Sequence, residues 1–259
     1  MLRVRVIPVL LIDQGELVKT IRFNKKQYIG DVVNAVKVFN DKEVDEIVVL
    51  DIFASKNKIE PNYQLIKDIA SECFMPLAYG GGVSSLSQVK KIFSIGVEKI
   101  IINSSIINNK SFVSEAINLY GSQSIVASID VKSSYFGKYR VYNHVDKKTV
   151  SISIEEYIRK VVNIGVGEIL VNNVSRDGMR IGADMQLLNK IDLISTLPIV
   201  FCGGIGSFQH LKKMVVAGIK SIGVGSYFVL YGKHNAVLIT YLKSEEINTL
   251  NNIEVNSDY

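Results

Sequence analysis

The chain repeats itself at an offset of 122 residues. Pro76-Leu-Ala-Tyr-Gly-Gly-Gly-Val-Ser-Ser85 lies over Pro198-Ile-Val-Phe-Cys-Gly-Gly-Ile-Gly-Ser207. The match continues with Lys90-Lys91 over Lys212-Lys213, Gly96 over Gly218 and Ser104 over Ser226, and it places Glu46-Ile47 over Glu168-Ile169. Any strand–helix unit resembles another in outline. Paired glycines at one strand end, kept in register with lysines and a serine, go beyond that. A shift of nearly half the 259 residues implies two related halves of one fold.

Each half alternates short β-branched runs with amphipathic stretches. The strand candidates are Val4–Leu11, Glu46–Asp51, Pro76–Tyr79, Lys99–Ile102, Ser124–Asp130, Glu168–Asn172, Pro198–Cys202 and Ser221–Val224. Their nearly continuous apolar character suits parallel strands covered on both faces. Between them the period is helical: in Leu86–Ile95, Val89, Ile92 and Phe93 share a face and Lys90 and Lys91 point to water. Eight such units predict an α/β chain, a single (β/α)8 TIM barrel of two half-barrels. A doubly wound open sheet is the alternative, but the Gly-rich turn it usually carries after its first strand does not occur. We expect one domain over residues 1–245 and a polar, fraying tail over 246–259. Lys132–Val150 is too long for a tight connection, and its alternating Tyr139-Arg140-Val141-Tyr142 predicts a β-hairpin inserted after the fifth strand.

Composition excludes several classes. With 47% hydrophobic residues the chain is too apolar for disorder, and a balance of 30 basic against 25 acidic residues, without a basic block, favours anionic small ligands over nucleic acid. No run is long enough to span a membrane. Cys73 and Cys202 are far apart, so neither a disulfide framework nor a metal site is expected, and a reducing, cytoplasmic setting fits. No cofactor is expected.

The repeat carries chemistry. Gly81-Gly82 and Gly203-Gly204 follow the third and seventh strands, and Asn103-Ser104 and Gly225-Ser226 follow the fourth and eighth. Such pairs offer backbone N–H groups and a hydroxyl to an oxyanion. Two of them across one barrel mouth suit a ligand with phosphate at both ends.

These residues resemble the cyclase subunit of imidazole glycerol phosphate synthase. The resemblance is carried by Ile7-Pro8, Gly15, Val18-Lys19, Leu50-Asp51-Ile52-Phe53-Ala54-Ser55, Gly80-Gly81-Gly82-Val83, Ile102-Asn103-Ser104, Gly121-Ser122-Gln123, Ile129-Asp130, Arg176-Asp177-Gly178 and Gly203-Gly204, and it runs to about residue 243. The sister isomerase shares the repeat, but Leu50–Ser55 and Val18-Lys19 resemble the cyclase side. The resemblance implies a bis-phosphorylated ligand at the mouth and a heterodimer with a glutaminase whose ammonia crosses the barrel. It also implies a pair of aspartates that move protons, at the ends of the first and fifth strands. Asp130 supplies the fifth-strand group. Where the family has its other aspartate, this chain has Leu11, which cannot transfer a proton. Asp13 lies about 6–7 Å further along the strand, too far out to replace it.

The resemblance further places a gate of charges, Arg5, Glu46, Lys99 and Glu168, at the opposite mouth, with Glu98 and Gln123 at the glutaminase interface. Lys19, on the first long loop, would close over an anion. Asp51 would bind a ligand hydroxyl, and Asp177-Gly178 would join the second phosphate site. Ser175 and Cys202 stand where the family has an acidic and a small residue. His144, His210 and His234 are scattered and read as surface or structural. Three functions remain open: an ammonia-using paralogue acting on a phosphorylated or nucleotide-linked substrate, a true cyclase of histidine biosynthesis, or a non-catalytic conduit that activates the glutaminase. For the first, the resemblance implies an N-acetyl sugar of surface-polysaccharide synthesis, with an ATP-using partner.

Overall fold

A computed structural model describes residues 3–133 and 137–253. Eight parallel strands close into a barrel: Arg5–Asp13, Ile47–Asp51, Leu77–Gly80, Lys99–Ile102, Ile125–Ser133, Glu168–Asn173, Ile199–Cys202 and Ser221–Val224. Each pairs in parallel with the next. Arg5↔Ser221 through Pro8↔Val224 closes the ring. The chain is thus the single (β/α)8 barrel that the repeat predicts.

The side-chain alternation of each strand divides the interior in two. Ile47 and Val49 face outward into the layer shared with the helices. Val48 points into the bore, where Ile7, Val9, Ala78, Ile101, Val126, Leu170, Val200 and Cys202 form a separate apolar cluster. Burial on both faces is why the strands read as unbroken apolar runs. The repeated serines start equivalent helices. Ser85 caps Leu86–Ile95 with a capping box through Gln88, and Ser207 caps Phe208–Val216.

The structure departs from the sequence reading at three places. First, the expected loop after the first strand is a hairpin, Glu16–Ile21 against Lys25–Asp31, continuing antiparallel from the strand's own extension to Asp13. Gln14 and Gly15 both have positive φ, 56° and 87°, as a two-residue hairpin turn requires. Second, the fifth strand continues to Ser133, and its insertion forms the predicted hairpin, Tyr139–Asn143 and Lys148–Ser153. Residues 134–136 lie outside the described part. Third, the polar tail does not fray from 246. Ser244–Asn251 is a helix whose Leu250 is buried, and Asn251 Oδ1 accepts from Val4 N at 2.9 Å. Leu250, with Ile247 and Ile253 packed against the same core, and the bond to Val4 hold it down despite its polar composition; residues 254–259 lie outside the described part.

Candidate active site

Four charged side chains meet where the strands begin. Arg5 Nη1 donates to Glu46 Oε2 at 3.0 Å and Arg5 Nη2 to Glu168 Oε1. Lys99 Nζ donates to Glu46 Oε1 at 2.8 Å and to Glu168 Oε2 at 3.0 Å. The result is a closed ring of alternating sign across the bore. Both glutamates are buried. Burial disfavours the charged forms of Arg5 and Lys99, but the bonds and charges of the two glutamates outweigh it, so both cations titrate above their ordinary values. Glu98 and Gln123 are exposed on this face. So are Phe74, Leu119 and Leu193, which sit at or just after helix ends that return to strands and are 82%, 54% and 87% exposed.

The opposite mouth holds a cavity of about 970 Å³. Leu11, Leu50, Ile101 and Leu170 line its deep part, with Asp51, Gly81, Gly82, Asn103, Ser104 and Asp130 around them. Arg22, Lys26, Lys56, Lys58, Lys132 and Lys147 also line it, against the acidic Asp51, Glu60, Asp130 and Asp146. This excess of cations favours anions. Lys26 is already paired with Asp13, which holds that aspartate outside the cavity lining.

Several of these residues also have partners of their own. Asn103 Nδ2 donates to Asp130 Oδ2 at 2.9 Å. Asp51 Oδ1 accepts from Ala54 N at 2.8 Å and caps the short helix Ile52–Asn57. Burial is the largest effect on its carboxyl and raises its pKa. A Cβ at Gly81 would come 2.4 Å from Asp51 O, so the chain's own close approach already demands glycine there.

Lys19 departs most. It is not on an open loop but on the hairpin strand, and its side chain is buried in the barrel mouth, with Nζ donating to Val9 O at 3.0 Å. Burial lowers its pKa. A Cβ at Gly225 would lie 2.1 Å from this Nζ. Lys19 thus occupies the second half-site, where Asp177, Gly178, Gly203, Gly204, Gly225 and Ser226 line only about 40 Å³. Asp177 also anchors the hairpin, accepting from Thr20 Oγ1 at 2.7 Å. The repeat is symmetric in sequence, whereas the two half-sites differ in size.

His144, read from the sequence as scattered and off the barrel mouth, stands at that mouth. It lines the mouth, and its Nδ1 lies 3.1 Å from Asp130 Oδ2. The register Val131↔Val141 carries the hairpin's returning strand back past Asp130, and the turn that follows holds His144. The alternation at Tyr139–Tyr142 was the signal for this hairpin; its register was not. His210 accepts from Gly206 N and His234 is exposed, away from the mouth. Asn172 was also missed. It lines both cavities, and its buried Oδ1 has no partner among the described residues.

The family pattern described as "Histidine biosynthesis protein" matches residues 5–235. The chain belongs to this family. Within it the chain is similar to a Leptospira borgpetersenii protein named "Putative imidazole glycerol phosphate synthase subunit HisF", at 46% identity over 93% of this chain and 96% of that one. The corresponding hisF2 protein of Pseudomonas aeruginosa is 42% identical over 93% and 96%. The hisF3 protein of Vibrio vulnificus is 41% identical over 95% of both. The chain is therefore a HisF-like member of the histidine biosynthesis protein family. No described helix is long and apolar enough to cross a membrane.

Proposed function

We propose that this HisF-like chain receives ammonia from a glutaminase at the charged ring and uses it on an anionic small molecule at the opposite mouth. The observation that carries this reading is the arrangement along one axis: a closed ring of Arg5, Glu46, Lys99 and Glu168, then an apolar bore, then Asp130. Neutral ammonia tolerates apolar walls, while a hydrated ammonium ion faces a large desolvation cost. Exposed Phe74, Leu119 and Leu193 on the ring's face support a protein partner there.

The cationic mouth, with Gly82 and Ser104 on its lining, favours a phosphorylated or nucleotide-linked substrate. Within that class the resemblance points to an N-acetyl sugar of surface-polysaccharide synthesis, with an ATP-using partner. The second reading, a cyclase of histidine biosynthesis, is favoured by the names of the relatives. Leu11 separates the two. In an ammonium-dependent cyclase assay with the histidine-pathway ribonucleotide, the natural chain should run about 10²–10⁴-fold below an ordinary cyclase, the worth of one general acid or base. Turnover within about tenfold of an ordinary cyclase, unchanged in Leu11→Asp, returns the chain to histidine biosynthesis.

A further inference from the structure

We propose that His144 and Asp130 form an acid–base dyad at the mouth, in which Asp130 orients the ring and His144 Nε2 takes and returns a proton. This rests on the reading of the mouth as the reaction site, and it addresses the gap that Leu11 leaves there.

Two hydrogen bonds converge on one oxygen of Asp130. Asp130 Oδ2 accepts from Asn103 Nδ2 at 2.9 Å, and His144 Nδ1 lies 3.1 Å from the same oxygen. A carboxylate that accepts from Asn103 and from His144 at the same oxygen requires the hydrogen on Nδ1, and the dyad takes this tautomer. In the neutral ring that leaves Nε2 bare, a base rather than a donor. A carboxylate behind a histidine does two things: it fixes the tautomer and it offsets the imidazolium that forms when the far nitrogen gains a proton. Asp130 is buried and the His144 side chain is 21% exposed, so the pair joins a shielded carboxylate to an imidazole that borders the cavity. Nε2 has no protein partner among the described residues.

The charges around the ring agree with this role. Burial works against the imidazolium, but the bond to Asp130, its charge and that of Asp146 outweigh it, so His144 titrates above the ordinary histidine value. The remaining charged neighbours of the cavity are Lys132 and Lys147 on the same hairpin and its root, Arg22 and Lys26 on the first hairpin, and Asp51, Lys56, Lys58 and Glu60 after the second strand. A carboxylate that favours the imidazolium strengthens Nε2 as a proton acceptor.

The step balances without any added reagent. Ammonia's lone pair forms a C–N bond to the substrate carbon, and the electron pair displaced from that carbon goes to the departing group. The new ammonium nitrogen gives one proton to Nε2. The imidazolium then hands the same proton to the departing group, and the dyad is restored.

The test uses the full chain labelled with ¹⁵N-histidine. His144 is distinguished from His210 and His234 by comparison with His144→Gln. The neutral ring should show the Nδ1–H tautomer, and its titration midpoint should fall by one pH unit or more, about tenfold in acid constant, in Asp130→Asn. Diethyl pyrocarbonate should modify Nε2, and inorganic phosphate at the mouth should slow that reaction several-fold. An Nε2–H tautomer, an unmoved midpoint in a folded Asp130→Asn chain, or a His144 that stays unmodified while exposed His234 reacts overturns the dyad. In a second, uniformly ¹⁵N-labelled sample, the amides of Gly82 and Ser104 report the anion separately. If phosphate leaves them unmoved, the anion-binding reading of the mouth fails, while tautomer and midpoint still decide the dyad.

Discussion

Arg5 and Lys99 divide the same two carboxylates between them: each donates to one oxygen of Glu46 and one of Glu168, and no oxygen is shared. The two cations come from opposite sides of the barrel, the first and fourth strands, so the ring closes the bore only while both are present. Replacing Lys99 with alanine should open it. Ammonium-dependent activity should persist in the assembled complex, while glutamine hydrolysis runs ahead of product. Equal loss of ammonium- and glutamine-driven activity would make the ring structural alone. Arg5→Ala should also cost about 2 kcal/mol in denaturant unfolding, below the 3–5 of a fully buried pair because the ring keeps some contact with water.

The two ends of the mouth should differ in anion binding. Phosphate soaked into crystals should settle near Gly82 and Ser104, where the cavity is wide. The second site, near Gly178, Gly204 and Ser226, has about 40 Å³, room for about one water, and should fill only if Lys19 shifts. Density at neither place would remove the bis-anion reading of the mouth.

Both thiols should be unreactive in the folded chain. Burial pushes Cys202 up to about 12 and Cys73 up to about 11. At pH 8 the thiolate is then about one part in a thousand or fewer, so iodoacetamide should alkylate both slowly, and quickly only in denaturant. Mass spectrometry of timed samples reads this directly, and fast labelling of Cys202 in native conditions would contradict its place inside the bore.

The face proposed to bind the glutaminase should respond to a single charge. Leu193 is 87% exposed at the end of a helix that returns to the seventh strand. Leu193→Asp should leave the unfolding midpoint unchanged and weaken the glutaminase complex about tenfold or more, read by titration calorimetry. Unchanged affinity would move the partner off this part of the face.

The barrel was legible in the sequence. Strands buried on both faces must be apolar throughout, helices between them must be amphipathic, and a half-length repeat must give two similar halves; each leaves a local pattern that one chain displays. The four ring positions came from the family resemblance, and the folded barrel brings them into contact. Where long side chains and inserted hairpins go was settled by long-range contacts instead. Lys19 fills the second half-site because a hairpin turn at Gln14-Gly15 folds its strand over the mouth. His144 meets Asp130 because antiparallel pairing at Val131↔Val141 brings the chain back after the undescribed residues 134–136. Both contacts depend on hairpin register, which is set by pairing partners rather than by the residues themselves, and neither leaves a trace in composition or period.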